Sequence, residues 1–190
     1  MLSFSKDRKP EPSPSDIPAL LADIVETVKQ RAEDGGISLR SQAPDNFPML
    51  LCDAEALSRA ILNVVTNAID AVEEQPDGTV DITTEIDEKC ELVRIRVTDN
   101  GPGIPAKTLP DIFNLFVSTK GAKGTGLGLT VSLKILREHG GDISVESTAT
   151  HGTCFTLSFP LLLSEQTAAG NRGTVTDISL PSDFGASVTP

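Results

Sequence analysis

Two glycine clusters and a pair of asparagines supply the residue types from which a phosphate-binding site can be built. Asp99-Asn100-Gly101-Pro102-Gly103-Ile104 follows a run of alternating apolar residues, and Gly124-Thr125-Gly126-Leu127-Gly128-Leu129 opens a run with helical spacing. Glycine tolerates positive φ and lets a backbone run close to a neighbour. A helix start with such freed amides is a site for anions, phosphate above all. Asp99, at the other end, offers a carboxylate that accepts hydrogen bonds from an exocyclic amine. Together they describe a purine nucleotide held at both ends. Asn63, Asn67 and Asp70 form a polar stripe on a third segment with helical periodicity. Asparagine competes for backbone hydrogen bonds inside a helix, so two at i and i+4 ask for a reason. On spacing alone, a polar helix edge accounts for them equally well.

These residues must be carried by elements that the apolar pattern defines. Ile17, Leu20, Leu21, Ile24, Val25 and Val28 predict a first helix to about Glu33, ended by Gly35-Gly36, with a short strand over Ile37 to Arg40. A proline-bearing connection through Pro44 and Pro48 follows. Asp53 is the expected N-cap of a second helix to about Glu74, with Leu57, Ile61, Val64, Ala68 and Val72 as its apolar stripe. Pro76-Asp77-Gly78 ends it in a turn. Val80, Ile82 and Ile86, then Val93, Ile95 and Val97, alternate with polar residues, which predicts a hairpin with one buried face. Asp81 and Glu85 then share the outer face with Arg94 and Arg96. That hairpin delivers Asp99 to a strand end. A third helix runs from Gly126 to about His139 and stops at Gly140-Gly141, and Ile143 to Ser147 and Thr153 to Phe159 close the sheet. The sum is an α/β sandwich: one mixed sheet of about five strands with three helices on one face.

The flanks read differently. Lys6 to Pro18 holds Pro10, Pro12, Pro14 and Pro18, a density that excludes helix interior and predicts a linker. Val117 to Thr125, rich in Gly, Lys, Ser and Thr, reads as a mobile loop, and Ser164 to Pro190 as a flexible tail.

Net charge is −11, and the Lys and Arg clusters that neutralise nucleic-acid phosphates are missing, which argues against nucleic acid as a partner, while the charge by itself reads as solubility. Cys52, Cys90 and Cys154 are odd in number and contain no Cys-x-x-Cys, which argues against a disulfide framework or zinc site and for a reducing cytosol. No apolar run approaches the ~18 residues of a membrane span, and Met1 to Pro10 lacks the apolar stretch of a signal peptide. Two common glycine fingerprints fail. Neither Lys120 nor Lys123 has the setting of a Walker loop, and Leu129 stands where the dinucleotide fingerprint needs its third glycine.

What the motifs do match, collinearly and in four places, is the catalytic, ATP-binding domain of bacterial sensor histidine kinases. That domain belongs to the superfamily of DNA gyrase, the ninety-kilodalton heat-shock chaperone and the mismatch-repair MutL proteins. Leu62-Asn63-Val64-Val65-Thr66-Asn67-Ala68-Ile69-Asp70-Ala71 resembles the asparagine box, and Asp99 to Ile104 the first glycine box. Ile112-Phe113-Asn114-Leu115-Phe116 with Ser118-Thr119-Lys120 resembles the phenylalanine box in its nitrogen-regulator-kinase-like form, and Gly124 to Leu129 the second glycine box. His139-Gly140-Gly141 and Gly152-Thr153-Cys154-Phe155 match the family's closing strands, so the resemblance spans about residues 16 to 162.

The resemblance implies a Bergerat fold and assigns roles residue by residue. Asp99 would accept a hydrogen bond from the adenine amino group, with Gly101 and Gly103 letting the loop through Ile104 pass beneath the base and Thr153 supporting a water near Asp99. Asn67 would ligate Mg²⁺ through its amide oxygen. Asn63, one turn earlier, would sit beside the triphosphate and orient the reacting end. Amides of Gly124, Gly126 and Gly128, within the box that includes Thr125, Leu127 and Leu129, would hold phosphate oxygens. Lys120 in the loop would reach the γ-phosphate, or is a solvated lysine. Asp70 is open between an outer-shell water on Mg²⁺ and a plain surface position. Phe113 and Phe116 are expected as anchors for the loop and a neighbouring domain.

The activity so implied is transfer of the γ-phosphoryl group of ATP to a histidine, in the cytoplasm, with a response regulator downstream. The two histidines present, His139 at a helix end and His151 in a turn, do not have the setting of a phosphoacceptor. The acceptor is therefore expected on a separate dimerisation and phosphotransfer domain. Residues 1–18 resemble a remnant of that domain's second helix and a linker, 19–162 the catalytic domain and 163–190 a tail. Since dimerisation would come from the missing helices, a monomer is expected. An ATPase or serine kinase of the same superfamily, a non-catalytic nucleotide sensor and a pure interaction domain are the alternatives.

Overall fold

Alternation decides which way each strand faces, and in the computed structural model, which describes residues 10–114, 126–148 and 151–164, it does so across the whole sheet. In chain order the elements are β1 (Ser13–Ser15), α1 (Ile17–Asp34), β2 (Ser38–Gln42), β3 (Leu50–Cys52), α2 (Ala54–Val72), β4 (Thr79–Asp87), β5 (Leu92–Asp99), a 3-10 turn (Leu109–Asp111), α3 (Gly128–Glu138), β6 (Asp142–Thr148) and β7 (Gly152–Pro160). Five strands form one sheet in the order β2-β4-β5-β7-β6. Only the β2–β4 pair is parallel, as expected of strands joined through the α2 crossover.

All three helices cover one face of this sheet, α1 over β2, α2 over β4, β5 and β7, and α3 over β6 and β7. Rows of register partners build the face they cover. Ile82, Val97 and Phe155 make one row, with Val145 beyond them, and Thr84, Ile95, Leu157 and Ile143 make the next. Opposite them α2 buries Leu57, Ile61, Val64, Ala68 and Val72, the stripe predicted from its spacing. The outer face is polar. Glu85 and Arg94 are direct cross-strand partners, and Arg94 also reaches Asp87 at 2.7 Å.

The proline-rich start does more than link. Ser13–Ser15 pairs antiparallel with Leu50–Cys52 in a separate two-stranded ribbon, neither strand of which the apolar pattern signals. Proline lacks an N–H to donate but is tolerated on an edge strand, which is where Pro14 lies. The far flank joins the same ribbon: Leu51 N–H donates to Leu162 O at 2.7 Å and Ser164 N–H to Met49 O at 3.0 Å.

Asp53 ties these parts to α2. Its Oδ1 accepts from Ala56 N at 3.0 Å, capping the helix as expected, and its Oδ2 accepts from Glu11 N at 3.1 Å. Its own N–H donates to His139 Nε2 at 3.3 Å at the end of α3, while His139 Nδ1 bonds Ile135 O at 2.8 Å. His139 is thus a structural bridge between two helix ends. Loss of a helix cap costs about 1 kcal/mol, and here a second amide loses its partner with it. Asp53→Ala is expected to lower stability by about 1–3 kcal/mol in urea unfolding, with Asp53→Asn in between, because its single amide oxygen can keep the Ala56 bond while its NH₂ cannot accept from Glu11 N.

Candidate functional site

The apolar face of the sheet changes character at one end. One step beyond the row of Val97, Phe155 and Val145 stand Asp99, Thr153 and Ser147, register partners on β5, β7 and β6. By strand parity all three point to the helix side. The same alternation that buries the core therefore ends in three polar side chains.

Asp99 is only 3% exposed, and a carboxylate at that burial needs donors. Its Oδ1 accepts from Gly101 N at 2.8 Å and from Thr153 N at 3.3 Å. These bonds fix the plane of the carboxylate and explain the glycine two residues on. A Cβ on Gly101 would lie 2.7 Å from Asp99 Oδ1 and 3.1 Å from the Ala71 carbonyl oxygen of α2. Gly103, at φ 72°, turns the loop back toward the sheet. Ile104 N–H then donates to Ser147 Oγ at 2.7 Å, closing the loop on β6.

The loop is held at its start as well. Asn100 donates from Nδ2 to Asp77 O at 2.7 Å and accepts from Thr79 N at Oδ1 at 2.8 Å. It so clamps the α2–β4 turn against the end of β5.

The asparagine stripe lies on α2, and its first member meets the second glycine cluster. Asn63 Nδ2 is 3.3 Å from both Gly128 O and Ser132 Oγ in the first turns of α3. Ser132 is fully buried, and its hydroxyl lies 3.0 Å from both Ala60 O and Gly128 O. Asn63 is therefore a strut that sets α3 against α2. Gly126 has φ 63°, and α3 begins at Gly128, two residues later than the glycine cluster suggests. Asn67 is half-buried one turn further along α2. Lys120, Gly124 and Thr125, like Phe116, lie outside the described residues. Phe113 packs against the core, and its carbonyl accepts from Thr130 Oγ1 of α3 at 3.0 Å.

Asp70 has a partner on the first helix. It pairs with Arg31 of α1, Nη2 to Oδ1 at 2.5 Å, and Glu73 lies 3.4 Å from the same guanidinium. Burial pulls the Arg31 pKa down, but the two carboxylates outweigh it and hold it above its ordinary value. Asp70 so joins α1 to α2.

Two residues of this cluster, Ser132 and Ser147, escape a reading of motifs, and Asn100 lies within a motif that gives it no role. For Ser147 a signal exists. Ile143, Val145 and Ser147 have one parity, as do Ile95, Val97 and Asp99, so a polar residue ends the buried face of each strand. Among the described residues no group of three or more His, Cys, Asp or Glu side chains could cage a metal, and no helix is long and apolar enough to cross a membrane.

Comparison with known proteins gives the family and the fold. Residues 52–163 match the family described as histidine kinase-, DNA gyrase B-, and HSP90-like ATPase. The sensor histidine kinase ZraS of Escherichia coli K12 is 37% identical over 155 residues, 82% of this chain and 32% of that protein. The histidine kinase/phosphatase NtrB of Vibrio alginolyticus is 35% identical over 153 residues, 75% and 43% respectively. The chain thus spans less than half the length of these relatives. Among solved structures, full-length ShkA in complex with AMPPNP superposes with a TM-score of 0.75 at 28% identity, covering 84% of this chain and 33% of that one. The nucleotide-free catalytic domain of the histidine kinase ThkA gives 0.72 at 29% identity, covering 80% of this chain and 97% of that domain. Its match across nearly the whole of a kinase catalytic domain sets the observed sandwich, helices and sheet alike, in the same fold. The chain belongs to the histidine kinase-, DNA gyrase B- and HSP90-like ATPase family, with sensor histidine kinases as its relatives.

Proposed function

We propose that the chain binds Mg-ATP and transfers the γ-phosphoryl group to an imidazole nitrogen of a histidine on a separate dimerisation and phosphotransfer domain. It would be the cytoplasmic kinase half of a two-component sensor, with a response regulator as the later phosphoryl acceptor. The observation that carries this reading is the convergence of sequence-distant motifs. Asn63 of α2 bonds the start of α3, while Asp99 is held by two backbone amides at the end of the same sheet face.

In this reading the Asp99 carboxylate, an acceptor only, takes the hydrogen bond of the adenine amino group. Guanine presents a carbonyl oxygen there and is rejected by repulsion and lost pairing. Gly101 and Gly103 keep side chains out of the path of the base. Amides at the glycine-rich start of α3, from Gly124, Gly126 and Gly128, receive phosphate oxygens. Asn63, already braced on Gly128, keeps that helix start beside the reacting phosphate, and Lys120 adds charge to the γ-phosphate.

The donor chemistry fits Mg²⁺. A hard cation that keeps several waters and takes phosphate oxygens needs one or two protein oxygens, not a cage. Asn67 offers an amide oxygen on the Asn63 side of α2, whereas the Asp70 carboxylate is engaged by Arg31. Bound there, Mg²⁺ would supply charge neutralisation in a loose transition state, which on a chain of net charge −11 is the chief electrostatic need. What the protein adds is position: base, phosphates and metal ligand on three elements locked to one another.

The test is transfer in trans. With Mg²⁺ and γ-labelled ATP, the chain should label the acceptor histidine of an added dimerisation domain in an acid-labile, base-stable form, and leave its own histidines unlabelled. Label on serine, or ATP hydrolysis with no transfer, favours the alternatives instead. Asn67→Asp sets an anion against the triphosphate, and like charges at close range cost several kcal/mol. Mg-ATP affinity by calorimetry is expected to fall about 100-fold, and an unchanged value refutes the Asn67 assignment.

A further inference from the structure

We infer that Ser147 is a positioning residue that holds the Asp99 loop from its far end and thereby sets discrimination between adenine and guanine; this rests on the nucleotide reading above. Ser147 lies on β6, the edge strand of the sheet, two strands from Asp99. Its Oγ accepts from Ile104 N at 2.7 Å and lies 3.1 Å from Gly152 O and 2.9 Å from Thr153 Oγ1. One assignment satisfies every distance. The Ser147 hydroxyl donates to Gly152 O, and the Thr153 hydroxyl and the Ile104 amide donate to Ser147. That fills a serine oxygen, one donation and two acceptances.

Two routes then run from Ser147 to Asp99. Through Thr153 the path is short, because the Thr153 backbone N–H is itself a donor to Asp99 Oδ1. Through the loop it passes Ile104, Gly103 and Gly101, the last being the other donor to that oxygen. Gly103 sits at φ 72° immediately before the anchored residue. Two glycines leave this segment with wide backbone freedom, so its position depends on what fixes its ends. Asn100 fixes the near end through Asp77 and Thr79. Ser147 fixes the other.

Removing the hydroxyl therefore does more than delete a surface contact. Ile104 N–H loses its acceptor, Thr153 loses the partner of its side chain, and the carboxylate is released from a fixed plane. Adenine loses part of a directed hydrogen bond, while guanine loses part of the repulsion that excludes it. The two effects have opposite signs on affinity. A general loss of stability would weaken both nucleotides together.

The experiment measures calorimetric Kd values for Mg-ATP and Mg-GTP on the full chain as wild type, Ser147→Ala and Ser147→Thr, with thermal unfolding of each. Loss of such bonds is expected to weaken ATP about tenfold and to shrink the ATP-to-GTP preference by at least that factor. The melting temperature should change little, and Ser147→Thr, which keeps the hydroxyl, should restore the preference. Ser147→Ala with the wild-type preference, an equal loss for both nucleotides, or no rescue by threonine overturns the role of Ser147 while leaving the nucleotide site in place. A wild type that binds neither nucleotide, or both alike, overturns the nucleotide reading itself.

Discussion

Asp99→Asn is expected to weaken Mg-ATP binding about 100-fold, since a hydrogen bond to a charged group is worth about 1.5–3 kcal/mol. The fold should survive the change. Asp99 Oδ1 is engaged by the amides of Gly101 and Thr153, and an asparagine oxygen can accept both bonds. The amide NH₂ then stands where the other carboxylate oxygen was, a donor facing the adenine amino donor. Guanine, whose carbonyl oxygen could accept from it, should lose far less or gain. Preference between the two nucleotides, measured by calorimetry, is thus expected to collapse or reverse while urea unfolding moves by less than about 1 kcal/mol. Asp99→Ala is a poorer probe, because it strips two buried amides of their acceptor and mixes instability with lost recognition. Equal ATP affinity in wild type and Asp99→Asn contradicts the assignment of Asp99 to the base.

That the five-stranded sheet and its three helices could be read from the chain follows from strong periodicity. Val93 to Val97 alternates cleanly and Val80 to Ile86 does so but for Thr84, and the apolar stripe of α2 from Leu57 to Val72 is almost uninterrupted. The β1–β3 ribbon could not be read in the same way. Ser13-Pro14-Ser15 carries no alternation, and its pairing with Leu50–Cys52 is backbone hydrogen bonding at an edge, which leaves no mark on side-chain type. The limits of the site have a similar origin. Motifs single out residues by type and spacing, so Asp99, Gly101 and Asn63 can be proposed as ligand contacts from the chain alone. Residues that hold those residues in place, Ser132 under Asn63 and Ser147 under Ile104, are ordinary serines until the strands and helices are assembled. Asp70 shows the converse. It belongs to the asparagine box by sequence, yet the neighbour that claims its carboxylate, Arg31, lies 39 residues away on α1 (70 minus 31).

Gly152→Ala is expected to be the most destabilising single-methyl addition in the site, because it combines two penalties that another glycine separates. Gly152 has φ 76°, and a Cβ there would lie 1.9 Å from the carbonyl oxygen of Asp99 and 2.8 Å from Asn100 Cα. Gly36 has φ 65° and nothing within 4 Å of a Cβ. Gly36→Ala should therefore cost only the left-handed strain, about 1–2 kcal/mol. Gly152→Ala adds an overlap with backbone, which no rotamer change relieves, and overpacking of this kind adds about 1–3 kcal/mol. The difference between the two variants in urea unfolding isolates the close approach of the β6–β7 turn to the Asp99 loop. That approach is also functional in the proposed site. To make room, the turn must move away from β5, and Thr153 carries one of the two amides that orient the Asp99 carboxylate. Folded Gly152→Ala protein should accordingly bind Mg-ATP weakly at temperatures where it is still native, whereas Gly36→Ala should bind as wild type. Equal destabilisation by the two alanines, with ATP affinity intact in both, is incompatible with a turn packed this tightly under the Asp99 loop and with the nucleotide role proposed for that loop.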